Sequence, residues 1–293
     1  MKQYFLEKLI TDADMEKLGN TFVQPNQVHL IIDSDADVFT KDGKLLFRFR
    51  KNKLPLADVL TFRDNVQQFA RQTTTNRGSA CGSLTKNVWE NPKIMSNIMG
   101  YMDTLSPQQK YRAKLNGITI PLSVRPCRFN LYYPEKWKEM IPLIQAINNL
   151  YAKLVPDKYR LQKKKADETH FRIGNTAFTS ITTNLNFQTS IHCDKGDDEE
   201  GFGNLCVIEN GGYTGAETCL PQYGVGVNVR NGDVLFMDVH EWHGNLPRKQ
   251  QRPDGNRLSI VCYLRKNVWL KTKGLSKPKM LEHIALIDSI RQK

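Results

Sequence analysis

His192-Cys193-Asp194 places an imidazole and a carboxylate two residues apart, so on an extended strand both side chains leave from one face and a single small cation can bridge them. About fifty residues on, His240-Glu241-Trp242-His243-Gly244-Asn245-Leu246-Pro247 offers two more histidines, and one of them could come across from an opposing sheet as a third ligand. His243 is preferred, because Gly244 and Pro247 mark the exit of the strand, where a metal-facing turn belongs; His240 then packs beside the ligands. Two imidazoles and one carboxylate on one face of an octahedron leave three positions open, which suits non-haem Fe(II) activating dioxygen. Fourteen residues past His243 comes Arg257-Leu258-Ser259. A guanidinium on a strand beside such a metal suits the far carboxylate of a dicarboxylate co-substrate, since its fork offers two parallel hydrogen bonds. Each feature alone is common, and a lone histidine is more often a satisfied polar residue than a ligand. Order, spacing, strand context and the trailing arginine together carry the inference.

Such residues need strands to hold them. From about Phe171 the chain consists of short β-forming runs (178–187, 205–209, 226–230, 234–239 and 258–264), with Asn210-Gly211-Gly212 and Asn231-Gly232-Asp233 as turns between them. Many short antiparallel strands at this spacing predict a barrel or a double-sheet jelly roll. Upstream, 28–33 and 45–50 read as a hairpin around Lys41-Asp42-Gly43-Lys44, and apolar spacing near 3.6 predicts helices over 56–72 and 137–154, the second stopped by Pro156. A short basic helix is expected over 280–290. The expected fold class is α+β with a mainly β core: a double-stranded β-helix (jelly roll, cupin-like), flanking helices and an N-terminal mixed α/β extension. The expected organisation is an N-terminal part over 1–165, a core over 166–270 and a basic tail over 271–293.

Composition narrows the partners. The chain has 293 residues, 40% hydrophobic and 25% charged, which excludes collagen-like and disordered classes. Its net charge of +12 favours a polyanion, and the residues from Arg265 onward carry half of that surplus. No run of eighteen apolar residues occurs, so a membrane span is not expected. Charges interrupt every apolar stretch at the N-terminus, which argues against a signal peptide. The six cysteines form no CxxC pair, and in a chain of this length they read as reduced, packed thiols of an intracellular protein.

Residues 171–265 carry Thr179-Ser180-Ile181-Thr182-Thr183-Asn184, His192-Cys193-Asp194-Lys195-Gly196-Asp197, Gly201-Phe202-Gly203-Asn204-Leu205, Arg230-Asn231-Gly232-Asp233-Val234-Leu235 and Asp238-Val239-His240-Glu241-Trp242-His243-Gly244-Asn245. This stretch resembles the double-stranded β-helix core of Fe(II)/2-oxoglutarate dioxygenases. Within that superfamily the chain is most similar to the TET and J-binding-protein family, which oxidises the 5-methyl group of pyrimidines in DNA, and particularly to its algal and viral (phage) members. Upstream, Asn76-Arg77-Gly78-Ser79-Ala80-Cys81-Gly82 resembles an Asn-Arg-Gly-x-Ala-x-Gly segment of that subgroup.

The resemblance implies His192, Asp194 and His243 as iron ligands, and Arg257, with Ser259, as the holder of the 2-oxoglutarate distal carboxylate; Asn184 is a further candidate co-substrate contact. Fe(II), 2-oxoglutarate and O2 are the implied cofactors, with ascorbate a reductant or, as in one algal enzyme type, the co-substrate itself. The implied partner is methylated DNA with its target base extruded from the duplex. The implied state is a monomer, in host cytoplasm for a viral protein or the nucleus for a eukaryotic one.

Asp197, three residues past Asp194, can accept from the exocyclic N4 amino group of cytosine but not from O4 of thymine, which favours 5-methylcytosine over thymine. Ala177, Arg77, Arg125 and His240 complete the expected substrate side, and basic residues in 158–165 and the tail are expected to track phosphates. Competing readings are a thymine hydroxylase, a dioxygenase acting on RNA or a protein side chain, a catalytically idle DNA-binding module, and a cupin-like sugar isomerase or metal-storage protein. The last would need neither the trailing arginine nor the basic surplus.

Overall fold

The computed structural model describes residues 1–67, 69 and 95–292, and the chain divides into two compact units. The first comprises Met1–Asn97, Thr182–Lys195 and Phe202–Val261, and the second comprises Ile98–Ile181, Gly196–Gly201 and Cys262–Lys293. In chain order the strands are β1 (Lys2–Leu6), β2 (Leu30–Ile32), β3 (Ala36–Thr40), β4 (Leu45–Arg50), β5 (Met95–Met102), β6 (Arg125–Pro126), β7 (Ser180–Leu185), β8 (Gly203–Gly211), β9 (Tyr213–Gly215), β10 (Thr218–Leu220), β11 (Val225–Val227), β12 (Val234–Met237), β13 (Gly244–Asn245), β14 (Arg248–Gln250) and β15 (Asn256–Tyr263). The helices are α1 (Asp12–Leu18), α2 (Leu56–Val66), α3 (Pro107–Leu115), α4 (Arg128–Tyr132), α5 (Pro134–Leu154), α6 (Pro156–Asp167), α7 (Lys266–Thr272) and α8 (Lys277–Gln292).

In the first unit one sheet runs in the order β1-β3-β4-β12-β8-β15-β7, and a second runs β13-β10-β11-β2. Residues of both sheets meet in one core: Phe47, Phe49, Val207, Leu235 and Met237 from the first pack with Ile32, Leu220, Val225 and Val227 from the second. This is the jelly-roll arrangement, in which each sheet hides its apolar face against the other. Burying one such Phe or Leu side chain contributes about 1.5–3 kcal/mol. Val234-Leu235-Phe236-Met237 does not alternate in polarity, because β12 lies between β4 (Leu235↔Phe49) and β8 (Leu235↔Leu205) and is buried on both faces. Arg50 is tolerated in this interior because its guanidinium donates to the Asp37 carboxylate at 2.7 Å and to the carbonyls of Ala36 and Phe49.

The hairpin around Lys41-Asp42-Gly43-Lys44 forms, but between β3 and β4 and not between 28–33 and 45–50. Leu30–Ile32 instead pairs in parallel with Val225–Val227 of the second sheet. The intervening Asp33-Ser34-Asp35 breaks the apolar run, which lets the chain change sheets. In the second unit α5 starts at Pro134, with Met140, Leu143, Ile144, Ile147 and Tyr151 buried at helical spacing. Pro156 does end α5 but also begins α6, a helix absent from the sequence reading; proline fits the first helical turn, whose N–H groups have no partner within the helix. The C-terminal helix runs from 277 to 292, longer than the 280–290 expected. The described part of α2 ends at Val66, and the remainder of the expected 56–72 helix lies largely outside the described residues. Among the described residues no helix is long and apolar enough to cross a membrane.

Candidate metal centre

His192 and His243 face each other as an antiparallel bridge, each backbone N–H donating to the other's carbonyl at 2.9 Å. Directly opposed residues of such a pair project to the same side, so the imidazoles meet, with ring centroids 4.3 Å apart. Asp194, two residues along from His192, shares its face. One carboxylate oxygen lies 3.5 Å from His192 Nε2 and the other 3.7 Å from His243 Nε2. The three ligand atoms all fall within 4.8 Å of one another, the only such group of three or more potential ligands among the described residues.

The segment carrying His192 and Asp194 is held from both sides. Ile191 donates to Thr21 O and accepts from Asn20, while Asp194 N–H donates to Val239 O and Asn245 N–H to Thr189 O. Gly244 is required for this approach: a Cβ there would lie 3.1 Å from Thr189 O and 3.2 Å from Ile191 N.

Each imidazole is oriented through its other nitrogen. His192 Nδ1 lies 2.7 Å from Ser190 O, and His243 Nδ1 lies 2.9 Å from Glu241 O. A carbonyl can only accept, so each Nδ1 carries the proton and each Nε2 offers its lone pair inward. Burial, reinforced by the neighbouring His192, pushes the pKa of His243 down to about 4, which keeps it a neutral ligand. Burial pushes the Cys193 thiol between the ligands up to about 11, so it is no thiolate competitor. This donor set, two neutral imidazoles and one carboxylate converging from one side, fits Fe(II) with open positions.

Arg257 stands on β15, and β7 is the next strand in the sheet. The two are locked just past the end of β7, where Asn186 N–H donates to Arg257 O and Arg257 N–H donates to Asn186 Oδ1. Only 4% of Arg257 is exposed, yet its Nε and Nη2 have no hydrogen-bond partner among the described residues. Burial pulls its pKa down, opposed by the neighbouring Tyr213 and Glu209. Glu209 is already engaged, accepting from Arg230 Nε at 2.9 Å and from the Tyr213 hydroxyl. A buried guanidinium with unmade N–H bonds is costly until an anion supplies them, and a carboxylate fits that need. Ser259 lies two residues along with its hydroxyl 3.5 Å from Asn184 O, and Asn184 Oδ1 also lacks a partner. The structure thus brings Arg257, Ser259 and Asn184 onto adjacent strands.

The other sequence candidates divide. His240 bonds through its N–H and Nδ1 to Asp238, at 3.1 and 3.2 Å, beside the ligand-bearing turn. Asp197, Ala177 and Arg125 belong to the second unit. Asp197 is buried and bridges Arg265 through the backbone. Ala177 donates its N–H to Asn148 Oδ1, and its carbonyl accepts from Gln162. Arg125 donates to the carbonyls of Thr104 and Pro126. Arg77 lies outside the described residues. The basic run on α6 is less available than its charge suggests, because Arg160 pairs with Asp157, Lys163 with Asp167, and Lys165 with Asp198 and Glu200.

Sequence reasoning missed Tyr213, Glu209 and Arg230 around Arg257. It also missed Lys44, whose ammonium bridges Asp238 (2.9 Å) and Glu241 (2.7 Å). Burial acts to raise the Asp238 pKa, but the bonds from His240 and Lys44 outweigh it and hold the carboxyl well below its ordinary range. No local signal announces Lys44, since Glu241 is 197 residues away in sequence.

Residues 113–266 match the Tet_JBP family, described as the oxygenase domain of the 2OGFeDO superfamily. Over 273 residues the chain is 31% identical to the thymine dioxygenase JBP1 of Trypanosoma brucei brucei, covering 89% of this chain and 30% of that protein. It is 32% identical over 162 residues to the bifunctional helicase and thymine dioxygenase JBP2 of Trypanosoma cruzi (strain CL Brener), covering 54% of this chain and 15% of the relative. The chain therefore spans less than a third of the length of either curated relative. Among solved structures it is similar to NgTET1 in complex with 5mC DNA, with a TM-score of 0.55 at 15% identity, covering 94% of this chain and 99% of that one.

Proposed function

The chain belongs to the Tet/JBP oxygenase-domain family of the 2-oxoglutarate- and Fe(II)-dependent dioxygenase superfamily, whose cofactors are Fe(II), 2-oxoglutarate and O2, and from that premise we propose that it hydroxylates the 5-methyl group of a pyrimidine in DNA, with 5-methylcytosine as its substrate. The observation that carries this reading is the convergence of His192, Asp194 and His243, together with a buried Arg257 whose guanidinium lacks partners. In it, the two Nε2 atoms and the Asp194 carboxylate hold Fe(II), and Ser190 O and Glu241 O fix the imidazoles in the binding tautomer. Arg257, with Ser259 and Asn184 beside it, takes the distal carboxylate of 2-oxoglutarate. The bound iron supplies the oxidation that turns a methyl C–H into C–OH, as 2-oxoglutarate and O2 become succinate and CO2. The base is extruded, since a methyl group inside a stacked duplex cannot reach a recessed site. The +12 charge supports a nucleic-acid substrate.

Preference for 5-methylcytosine rests on Asp197 as acceptor for the N4 amino group. Asp197→Asn is expected to lower the ratio of 5-methylcytosine to thymine oxidation roughly tenfold, the size of one base-edge hydrogen bond. Competition between the two substrates in a single reaction measures it, and an unchanged ratio removes Asp197 from base reading.

Thymine is the second reading, favoured by the printed activity of both trypanosome relatives. The deciding experiment incubates the protein with Fe(II), ascorbate and DNA containing 5-methylcytosine, with and without 2-oxoglutarate, followed by nucleoside mass spectrometry. 5-Hydroxymethylcytosine formed only with 2-oxoglutarate is the expected result. 5-Hydroxymethyluracil moves the substrate to thymine, product with ascorbate alone replaces the co-substrate, and no oxidised base at all refutes DNA oxidation.

A further inference from the structure

The ligand-bearing turn 238–243 carries two carboxylates, Asp238 and Glu241, whose side chains are only 10% and 13% exposed. Like charges three residues apart in such a setting repel each other strongly unless a cation lies between them. Lys44 is that cation. It ends the turn of the β3–β4 hairpin, where Lys44 N–H donates to Thr40 Oγ1 and Thr40 N–H to Lys44 O, so its backbone is fixed before its side chain reaches out. One ammonium meets Asp238 Oδ2 and Glu241 Oε1, while His240 Nδ1 and the Tyr223 hydroxyl take the remaining oxygens, Asp238 Oδ1 and Glu241 Oε2. The same turn also supplies two bonds to the ligands through its main chain: Val239 O accepts from Asp194 N–H, and Glu241 O receives Nδ1 of His243.

We propose that Lys44 is a positioning residue of the metal centre, neutralising Asp238 and Glu241 so that the turn between them presents the Val239 and Glu241 carbonyls that aim Asp194 and His243. This rests on the reading of His192, Asp194 and His243 as the metal ligands. It gives the N-terminal hairpin, which lies outside the segment matched to the oxygenase family, a part in building the centre. Without the ammonium, Asp238 and Glu241 separate by rotating toward solvent. Glu241 cannot move without dragging its carbonyl away from His243.

The test is made on metal-free full-length protein titrated with Co(II), read by the d–d absorption of the bound ion, with thermal unfolding followed in parallel. Lys44→Met is expected to raise the Co(II) dissociation constant by about 10- to 100-fold, the usual effect of losing an outer partner of a ligand. Lys44→Arg, which keeps the charge, should restore most of that affinity. Adding Glu241→Gln to Lys44→Met should recover part of it by removing the repulsion. Lys44 is half exposed, so the variants are expected to fold. A wild-type dissociation constant in Lys44→Met, even with a lowered Tm, overturns the positioning role. So does a loss that neither Lys44→Arg nor Glu241→Gln repairs. Wild-type protein that binds no Co(II), or that binds it equally well as His192→Ala, overturns the metal centre itself and the role of Lys44 with it.

Discussion

Replacing His192 or Asp194 by alanine abolishes base oxidation and divalent-metal binding together, while the protein keeps its fold. The loss should exceed the roughly 10- to 100-fold typical of removing an outer partner, because each residue supplies one of only three protein ligands. Stability moves little: the two side chains are 20% and 30% exposed and stand at the mouth of the cradle, where substitutions usually stay within about 0.5 kcal/mol. The backbone bonds to Ser190, Val239 and His243 that hold this segment survive, apart from the one made by the His192 ring. Co(II) binding and thermal unfolding of each variant, measured beside turnover, separate a lost ligand from a lost fold. Undiminished turnover in either variant would sink the iron assignment.

The two residues of that prediction were legible because their relation is local: a period of two along a strand puts His192 and Asp194 on one face whatever the rest of the chain does. His243 could be preferred over His240 from the glycine after it, and the structure gives that glycine its reason in the close approach of residues 189–191. Arg257 was legible only as an arginine trailing the last histidine. That it is buried with unmade bonds, and ringed by Tyr213, Glu209 and Arg230, depends on β8, β9 and β15 converging, which no spacing encodes.

The same limit explains the misread hairpin. Leu30–Ile32 and Leu45–Arg50 both look like strands, but partner choice is settled by which sheet has an open edge, and Val225–Val227 accepts the first of them in parallel. Charge runs mislead for a related reason. Lys163 and Lys165 read as a solvent-facing basic stripe until the fold brings Asp198 and Glu200 to one of them and helix periodicity brings Asp167 to the other. Lys44 is the extreme case, an ordinary turn lysine in sequence whose role exists only in three dimensions.

Arg257→Met should leave the metal site loaded and the protein folded, yet raise the 2-oxoglutarate requirement steeply. Hydrogen bonds to a charged partner contribute about 1.5–3 kcal/mol each, so losing a two-pronged contact of which even half is recovered elsewhere costs about 3 kcal/mol, or a KM for 2-oxoglutarate raised by over 100-fold. Arg257→Lys keeps the charge but loses the planar fork, and falls between the two. The stability effect has the opposite sign from most buried substitutions. In the free protein the Arg257 guanidinium is desolvated with Nε and Nη2 unpartnered, while Glu209 nearby is satisfied by Arg230 and Tyr213. Methionine of similar length removes that burden, so the Tm of the free variant should equal or exceed that of wild type. What disappears is the stabilisation by co-substrate. Wild-type protein with metal at 100 times the dissociation constant of 2-oxoglutarate gains about 2.7 kcal/mol, and the variant at the same concentration gains almost none. Thermal unfolding with and without 2-oxoglutarate therefore tests the assignment without a DNA substrate. A variant that still shifts like wild type would mean that another group holds the distal carboxylate, and that the unmet bonds of Arg257 await a different anion.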